Sequence, residues 1–389
     1  MKIAFFVERP TQFEVPFYRF TANDPEHRLK VIYTGGDPAM PAYDPELSRP
    51  VDWGFDLVAG YDWTALPARG RRRWLAAELS PGSYDLAIVN GYTQRAYLRA
   101  ALRARRNGIA TALRLDSVTD AGEGQSRTRV KRALYRSVLP RLFDRFLGVG
   151  SGTLEFLAAQ GVPAERCGLF PYAIDVESFR ERSRLSSEAK AAARARLGAP
   201  PEAKIVLSLA KFGPREAPWD LLRAFPGVAA ADPAAWLVLA GDGPERGALE
   251  AEARSLGLGG RVVFPGYIPY PELPALYATA DLFVHPATEE RWGVSVQEAL
   301  ACGLPVIASE RVGAGRDLIE PGRNGFRYAG GNVETLGLKL VAALALPRAE
   351  VEAASREILA RWDYAATWRH LLAAASAAGF QGTIRRFGL

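Results

Sequence analysis

Short apolar runs alternate with longer amphipathic segments along nearly the whole chain. In the first half, the runs of strand length are Lys2–Val7, Leu29–Tyr33, Leu86–Asn90, Ala110–Leu115, Arg145–Gly148 and Cys167–Phe170. The segments of helix length between them include Arg95–Arg106, Arg129–Arg141 and Gly152–Gln160. Because parallel strands are joined by crossover helices, this alternation predicts parallel sheets that are covered on both faces.

The pattern is interrupted once and then begins again. Residues 183–201 are rich in Ala, Arg and Ser, contain no buried strand and end in residues that stop helices. A second series follows: Ile205–Ala210, Ala235–Ala240, Val262–Pro265, Leu282–His285, Pro305–Ala308 and Gly325–Tyr328. We therefore predict an α/β protein of two Rossmann-like domains that face across a cleft, with ligands at the carboxyl ends of the strands. The predicted ranges are 1–180, 200–362, and 363–389 for a terminal helix and tail.

Composition limits the class of protein. Hydrophobic residues make up 48% of the 389 positions and charged residues 24%, which is typical of globular proteins. No apolar run reaches the roughly 18 residues that a spanning helix needs, and Glu8 follows the first run too soon for a secretory signal. The two cysteines favour a reducing cytosol. The three histidines lack metal-ligand spacing, so we expect a cytoplasmic protein without a metal.

The net charge of +6 is concentrated in a few segments. Between Arg127 and Arg145, basic residues alternate with leucine and aromatic residues. Such a stretch suits an anionic membrane surface at the inner face of the membrane, or an anionic acceptor, but an ordinary solvated helix face explains it equally well. No nucleic-acid motif accompanies the charge, so nucleic acid is not expected as a partner.

The segment from His285 to Ser309 carries the most specific chemistry. A strand ends at His285, a polar loop follows, and a helix begins near Gly293. The amides of Gly293, Val294 and Ser295 would lie at the start of this helix, where unpaired N–H groups and the helix dipole favour an anion such as a diphosphate.

Two carboxylates flank that predicted anion site. Glu290 and Glu298 could accept hydrogen bonds from the vicinal hydroxyls of ribose or hexose. Ser295-x-x-Glu298 also fits a capping box, in which Glu298 only satisfies the helix start. Local chemistry alone favours the capping box.

The same segment resembles the Glu-x7-Glu signature of the retaining glycosyltransferases of family 4. It contains Glu290-Arg291-Trp292-Gly293 and then Glu298-Ala299-Leu300-Ala301-Cys302-Gly303-Leu304-Pro305-Val306. The resemblance implies a GT-B fold with a terminal helix that crosses back to the first domain. It also implies that Glu298 binds the ribose, that Glu290 binds the donor sugar and that the amides of Gly293 to Ser295 bind sugar and phosphate. Phe264–Ile268 resembles the stretch that meets the nucleobase, which makes Tyr267 a donor-binding candidate.

The cations expected by this resemblance are only partly present. The family usually places two cations beside the diphosphate, and here Lys211 matches the first. Glu216 stands where the second is expected, and Arg215 is the candidate to replace it. An acidic group beside a diphosphate repels it, so Glu216 marks the position at which donor binding could be weakened.

The first domain departs from the family in two places. Residues 8–19 replace the usual glycine-rich loop, and Gln12, Phe13 and Glu14 are the candidates for acceptor binding there. Arg114-Leu115-Asp116-Ser117 replaces the family's histidine, as in a branch with Arg-x-Asp-Ser. We expect Arg114 to contact the donor phosphate or the acceptor and Asp116 to orient an acceptor hydroxyl. A helix-capping role explains Asp116 equally well.

The resemblance implies a retaining transferase with Glu290, Lys211, Arg215 and Asp116 as its catalytic residues. Its co-substrate would be a UDP- or GDP-sugar, with no further cofactor, and its acceptor a cell-envelope glycan, a glycolipid or a small molecule. Two alternatives remain: a sugar-nucleotide epimerase, which the scarcity of histidine disfavours, and a sugar-nucleotide-binding protein with weak or lost catalysis, which Glu216 favours.

Overall fold

The computed structural model describes residues 1–40, 43–44, 49–50, 53–118 and 130–386, with side chains described up to residue 376 in the last range. The chain divides into two compact units. The first contains Met1–Met40, Asp56–Ala173 and Tyr364–Leu389, and the second contains Pro41–Phe55 and Ile174–Asp363. The predicted first domain, 1–180, included Pro41–Phe55, which belongs to the second unit.

The first unit is built on a parallel sheet. The strands up to residue 169 are β1 Lys2–Val7, β2 Arg28–Tyr33, β3 Tyr43–Asp44, β4 Arg49–Pro50, β5 Asp62–Ala65, β6 Leu86–Asn90, β7 Ala110–Leu115, β8 Arg145–Gly148 and β9 Cys167–Leu169. β3 and β4 form a separate antiparallel pair, and the other described strands form a sheet in the order β5-β2-β1-β6-β7-β8-β9. The order reverses between β1 and β6, and in parallel α/β sheets such a reversal opens a crevice at the carboxyl ends of the strands.

Helices join these strands. They are α1 Glu14–Thr21, α2 Arg71–Glu78, α3 Arg95–Arg106, α4 Leu139–Leu142 and α5 Ser151–Ala159, with a π-helical turn at Leu134–Val138 before α4. Residues 3–6 of β1 are fully buried because the sheet is covered on both faces.

The second unit repeats this architecture. Its strands are β10 Lys204–Leu209, β11 Ala235–Ala240, β12 Val262–Gly266, β13 Leu282–His285, β14 Val306–Ser309 and β15 Gly325–Tyr328. All described strand pairs in this sheet are parallel, in the order β12-β11-β10-β13-β14-β15. Its helices are α6 Val176–Arg182, α7 Ser187–Arg196, α8 Pro218–Ala231, α9 Arg246–Ser255, α10 Leu273–Thr279, α11 Val294–Ala301, α12 Gly313–Leu318, α13 Val333–Leu344 and α14 Arg348–Leu359. The strand order reverses between β10 and β13. The crevice that such a reversal opens lies beside the segment from His285 to Ser309.

The chain returns to the first unit in its last helix, α15, which spans Tyr364–Arg386. This helix packs on β6, β7, β9 and α1. Near its start, the Trp368 indole donates a hydrogen bond to Asp24 at 2.7 Å, and the Tyr364 ring lies 5.7 Å from the Phe17 ring. The predicted fold class, with its terminal helix on the first unit, is therefore confirmed.

The predicted basic helix at Arg129–Arg141 is only partly described, since Arg127 and Arg129 lie outside the described residues. Arg145 does not belong to a solvated face, because it is 5% exposed within β8 and its guanidinium donates to the Glu165 carbonyl at 2.6 Å. Over the described ranges, no helix is both long and apolar enough to cross a bilayer.

Candidate functional site

The carboxyl end of β13 leads into a loop that only glycine allows to close onto α11. Gly293 has φ +91°, in the left-handed region. A Cβ atom there would lie 2.9 Å from Cγ1 of Val312 and 3.2 Å from Nε2 of His285. Both the backbone conformation and the close packing therefore require glycine at the start of α11.

The start of α11 is not closed by a capping box. Gly293 is the N-cap residue, and no side chain caps it. Instead of reaching back to the helix start, Glu298 accepts a hydrogen bond from the Tyr277 hydroxyl at 2.8 Å. The capping-box interpretation is wrong because Gly293 is the N-cap and the helix begins at Val294, so Ser295 lies inside the first turn. The first amides of the helix consequently depend on an acceptor other than a capping side chain.

Glu298 is held in an apolar environment. The residue is 3% exposed, and burial raises the pKa of its carboxyl group to about 7, although the hydrogen bond from Tyr277 acts in the opposite direction. Burial disfavours the charged form of a carboxyl group. Glu298 is thus a buried hydrogen-bonding group whose charge changes near neutral pH.

Glu290 lies where two loops meet. Its amide donates to the Arg311 carbonyl at 3.2 Å, and its carbonyl accepts from the Gly313 amide at 3.1 Å. A Cβ atom at Gly313 would lie 2.1 Å from the Arg291 carbonyl oxygen, so glycine permits this close approach. The Glu290 carboxylate accepts from the Trp292 amide at 3.3 Å. The loop that follows β14 therefore fixes the position of Glu290.

The loop after β10 brings a cation to Glu290. Arg215 and Glu216 lie in a short 3₁₀ turn that ends at Ala217, which has φ +48°. The Arg215 carbonyl accepts from the amide and the hydroxyl of Thr288 at 2.8 and 3.1 Å, which ties this turn to the loop after β13. The Arg215 guanidinium lies 2.9 Å from the Glu216 carboxylate and 3.9 Å from that of Glu290.

His285 is a member of this cluster that sequence reasoning did not assign. It is 4% exposed, and neither ring nitrogen has a hydrogen-bond partner among the described atoms. Burial, assisted by the charge of Arg215, lowers its pKa to about 4, so the ring is neutral at physiological pH. One ligand-type atom of each of Glu216, His285 and Glu290 lies within 4.8 Å of the others. This is donor chemistry that divalent cations accept, and Arg215 is the cation that the structure places beside both carboxylates.

The other predicted donor-side residues lie on the same edge of the second sheet. Lys211 lies two residues after the end of β10 and Tyr267 directly follows β12, and both are half-buried. The turn after β11 is pressed against the loop of Lys211, since a Cβ atom at Gly241 would lie 1.8 Å from the Ala210 carbonyl oxygen. The structure thus brings Lys211, Arg215, Tyr267, Glu290, Gly293–Ser295 and Glu298 to the carboxyl edge of one sheet.

Trp292 and Gln297 connect the start of α11 to Trp362. The Trp292 indole donates to the Gln297 side chain at 3.2 Å, and the Gln297 amide donates to the Trp362 carbonyl at 3.0 Å. The Trp292 and Trp362 rings lie 5.2 Å apart. Tryptophan at position 292 therefore adds a polar contact that phenylalanine could not make.

The predicted first-domain residues form a cluster at the carboxyl ends of β1 and β7. The Arg114 guanidinium is 2% exposed and donates to Glu14 and to the carbonyls of Phe170 and Pro171, the latter two at 3.0 Å. It also lies 4.4 Å from the centre of the Tyr172 ring. The binding role of Arg114 stays a prediction, and these contacts favour a structural role because they occupy the guanidinium inside the unit.

Asp116, Phe13 and Gln12 are more accessible than Arg114. The Tyr172 hydroxyl lies 3.5 Å from the Asp116 carboxylate, and its ring packs edge-on to Phe13 at 5.2 Å. Gln12, Phe13 and Asp116 are all half-buried. The alternative that Asp116 caps a following helix falls on residues 119–129, which lie outside the described residues.

Comparison with known proteins identifies relatives over much of the chain. The model of the family described as Glycosyl transferases group 1 matches residues 189–361. A GDP-mannose-dependent alpha-(1-6)-phosphatidylinositol monomannoside mannosyltransferase of Mycobacterium tuberculosis is 31% identical over 276 residues, which cover 68% of this chain and 70% of that protein. A GDP-mannose-dependent alpha-mannosyltransferase of the same species is 36% identical over 57% of this chain and 54% of its own length, so the chain spans about half of it.

A solved structure shares the fold. The structure of HepE from Anabaena in complex with UDP and glucose aligns with a TM-score of 0.69 at 18% identity, covering 97% of this chain and 100% of that one. At this level of identity the match concerns the fold, which is GT-B-like.

Proposed function

Since this chain belongs to the group 1 glycosyl transferases, we propose that it transfers a sugar from a nucleoside diphosphate sugar to a hydroxyl acceptor with retention of anomeric configuration. The observation that carries the proposal is the pair of carboxylates, Glu290 and Glu298, on either side of the glycine-led start of α11. A helix start of this kind binds phosphate, and carboxylates bind sugar hydroxyls.

Each part of the donor has a counterpart in this arrangement. Glu298 would accept hydrogen bonds from the ribose hydroxyls and Glu290 from the donor sugar. The amides of Gly293 to Ser295 would bind sugar and phosphate, and Tyr267 would lie beside the nucleobase. The relatives support a GDP-sugar or a UDP-sugar, because the two mannosyltransferases are named for GDP-mannose and the solved structure holds UDP.

Lys211 and Arg215 would stabilise the departing diphosphate. Charge develops on the leaving group in the transition state, and preorganised cations and amides at that point lower the barrier. Arg215 is prepared for this role because Thr288 fixes its backbone and Glu216 its guanidinium. In this proposal the two side chains and the helix amides neutralise the phosphates, and no metal is required.

The acceptor would bind in the first unit. Gln12, Phe13 and Glu14 follow β1 and Asp116 follows β7, so these residues share the carboxyl edge of that sheet. Asp116 would orient the acceptor hydroxyl. A glycan, glycolipid or small-molecule acceptor fits, and the phosphatidylinositol monomannoside in the name of one relative supports a glycolipid. The exposed Val130 and Val138, 70% and 53% exposed beside basic residues, support peripheral contact with the inner face of the membrane in the cytoplasm.

Turnover of UDP-, GDP- and ADP-sugars, with the anomeric configuration of the product read by NMR, tests the proposal. Glu298→Ala and Lys211→Ala should each lose most of the turnover. The matched controls Glu289→Ala and Lys204→Ala remove one exposed charge of the same sign from the same unit and should retain it. Full turnover in both site variants, or an inverted product, would contradict the proposal.

Glu216 favours a second function, sugar-nucleotide binding without transfer. Glu216 is 7% exposed and is paired with Arg215. It occupies the position at which a second cation would assist the binding of the diphosphate. Calorimetry with UDP, GDP and ADP separates the two functions. Binding without turnover of any acceptor would favour the second, and absence of binding would contradict both.

A further inference from the structure

A basic cavity lies in the second unit, at the opposite end of α11 from the candidate site. Its volume is about 240 Å³, and its walls come from α6, α7, α14 and the carboxyl end of α11. The cationic residues that line it are Arg180, Arg184, Lys190, Arg348 and Arg356. Among the described lining residues, Glu352 is the one acidic group. The cavity therefore concentrates positive charge in a space that fits a small anion.

Some of these cations have acidic partners. Arg180 pairs with Glu177, and Arg348 lies 3.3 Å from Glu352. Lys190 lies 3.6 Å from Asp281, but Arg194 already binds the same carboxylate at 2.7 Å. The negative charge of Asp281 is therefore shared between Lys190 and Arg194.

Arg184 and Arg356 are different. Both are exposed, and within the described part of the chain the structure gives neither guanidinium a hydrogen-bond or ion-pair partner. Two guanidinium groups at the wall of one cavity repel each other unless an anion lies between them. Positive charge without an acidic partner at the wall of a cavity favours the binding of an anion there.

The cavity also has fixed elements. The Arg348 guanidinium donates to the Cys302 carbonyl at 2.9 Å, where it closes the carboxyl end of α11. Because α14 begins at Arg348, the positive end of its dipole lies at the same wall. Burial lowers the pKa of Lys190, and Arg194 and Arg348 act in the same direction while Asp281 opposes them. The shift of Lys190 therefore reports mainly its burial at the cavity wall.

We propose that this cavity binds a phosphomonoester dianion, with Arg184 and Arg356 as its principal ligands and Arg348 and Lys190 as supporting cations. A guanidinium offers paired N–H donors that match phosphate oxygens. The volume accommodates one phosphate group with part of the molecule that carries it. The dianion can come from a soluble phosphate ester or from a lipid headgroup such as phosphatidic acid, and the chemistry of recognition is the same.

This site is separate from the proposed donor site. Gly293 and Cys302 lie at opposite ends of α11, which at 1.5 Å per residue is about 12 Å long. The chain enters α11 from the carboxyl end of β13 and leaves it toward the amino end of β14. The proposed donor site therefore lies at the carboxyl ends of the strands and the basic cavity lies toward their amino ends. Variants in one site can be compared with variants in the other.

Titration of the full chain with inorganic phosphate at fixed ionic strength provides the first test. Arg184→Gln with Arg356→Gln should weaken the affinity about tenfold, which corresponds to about 1.4 kcal/mol. The control, Arg254→Gln with Arg327→Gln, removes the same charge from exposed positions of the same unit outside the cavity and should bind like the unaltered chain. Lys211→Ala distinguishes this binding from phosphate binding at the donor site. It should remove at most the donor-site share, and the binding that remains should still be lost when Arg184 and Arg356 are replaced.

Flotation with vesicles of phosphatidylcholine, with and without phosphatidic acid, distinguishes the sources. Binding to the phosphatidic acid vesicles that the Arg184/Arg356 variant loses identifies a lipid headgroup. Phosphate binding without vesicle binding identifies a soluble ester. The proposal is overturned if phosphate and vesicles both fail to bind, if the control variant weakens binding equally, or if Lys211→Ala removes the binding that the Arg184/Arg356 variant keeps. The last result would leave the donor-site proposal intact.

Discussion

The hydroxyl of Tyr277 donates a hydrogen bond to Oε2 of Glu298 at 2.8 Å, where both residues are almost completely buried. Tyr277 is on α10 and Glu298 on α11, so the bond joins two helices that precede and follow β13. It also stabilises the charged form of a carboxyl group that burial disfavours. The charge of Glu298 therefore depends on a residue that sequence reasoning did not select.

Tyr277→Phe should shift the pH dependence of nucleotide binding. The pKa of Glu298 is about 7, so affinity for the ribose should rise as pH increases through neutrality and the carboxylate forms. Loss of the hydrogen bond raises this pKa further, which moves the rise to higher pH. Calorimetry across neutral pH measures the shift, and Glu298→Gln should make the profile flat.

Tyr328→Phe is the matched control for Tyr277→Phe. Tyr328 is also a buried tyrosine of the second unit, and its hydroxyl lies 3.4 Å from the Pro286 carbonyl rather than beside a carboxylate. Its removal should leave the pH profile unchanged. A shift of equal size in both variants would mean that packing, and not the bond to Glu298, sets the profile.

Glu298→Gln should also change how stability depends on pH. The folded pKa of about 7 lies above the ordinary value of 4.5. The folded state therefore binds more protons between these values, and the contribution of Glu298 is fully present below the lower pKa and is lost as pH rises through the upper one. Relative to the unaltered chain, Glu298→Gln should gain up to about 3 kcal/mol above neutral pH. Urea unfolding at acidic and at alkaline pH measures this, and a difference that is independent of pH would contradict it.

Gly293→Ala should impair both folding and donor binding. The left-handed backbone and the contact at 2.9 Å with Val312 impose a cost of about 1–3 kcal/mol, and relief of that strain would move the amides at the start of α11. Gly247→Ala, in the first turn of α9, is the control because no heavy atom lies within 4 Å of the position that its Cβ atom would take. Alanine there should leave the fold and the nucleotide affinity unchanged. Thermal unfolding and nucleotide affinity are the measurements. Unchanged affinity in Gly293→Ala would argue against a role for these amides.

The sequence predicts buried parallel strands with high accuracy because both faces of such a strand are apolar. The bounds of Ala235–Ala240 and Leu282–His285 are correct at every residue. The strand Asp62–Ala65, at the edge of its sheet, was missed because its half-buried side chains leave no apolar run. The edge strand Gly325–Tyr328 was predicted with the correct bounds because its first and last residues are buried. Periodicity therefore reports burial rather than position in the sheet.

The site was predictable where its residues are local in sequence and unpredictable where they are not. The positions of Glu290, Gly293 and Glu298 follow from one loop and one helix. The approach of Glu216 to His285 depends on the pairing of β10 with β13 and on the turn at Ala217. No spacing within the sequence encodes that approach, because Glu216 lies in the turn after β10 and His285 is the last residue of β13.

Glu14→Gln should destabilise the first unit by about 3 kcal/mol or more. Arg114 and Glu14 are 2% and 8% exposed, and removal of one partner of a buried pair leaves the other charge uncompensated. Glu8→Gln is the control, since Glu8 is exposed and accepts from Gln94 at 2.8 Å. Urea unfolding compares the two variants. Unchanged stability with a raised KM for the acceptor would instead assign Glu14 to acceptor binding.

Glu216→Gln should strengthen donor binding. The Glu216 carboxylate lies 2.9 Å from the Arg215 guanidinium and shares that cation with Glu290. Glutamine keeps the shape of the side chain but removes the negative charge, so more of the field of Arg215 is directed at the diphosphate. We expect a lower KM for the donor together with a raised kcat, since the field of Arg215 acts on the bound diphosphate and more strongly on the charge that develops on it in the transition state.

The opposite result has an equally definite meaning. A raised KM together with a reduced kcat in Glu216→Gln would show that Glu216 holds Arg215 in its working position, so that loss of the pair costs more than the repulsion it removes. Glu289→Gln, at an exposed position of the same loop system as Glu290, controls for net charge. The Glu216 side chain is 9% exposed and that of Glu289 is 62% exposed. Added salt should therefore screen the effect of Glu289→Gln and leave most of the effect of Glu216→Gln, and equal loss of both effects at high salt would contradict a contribution from the buried pair.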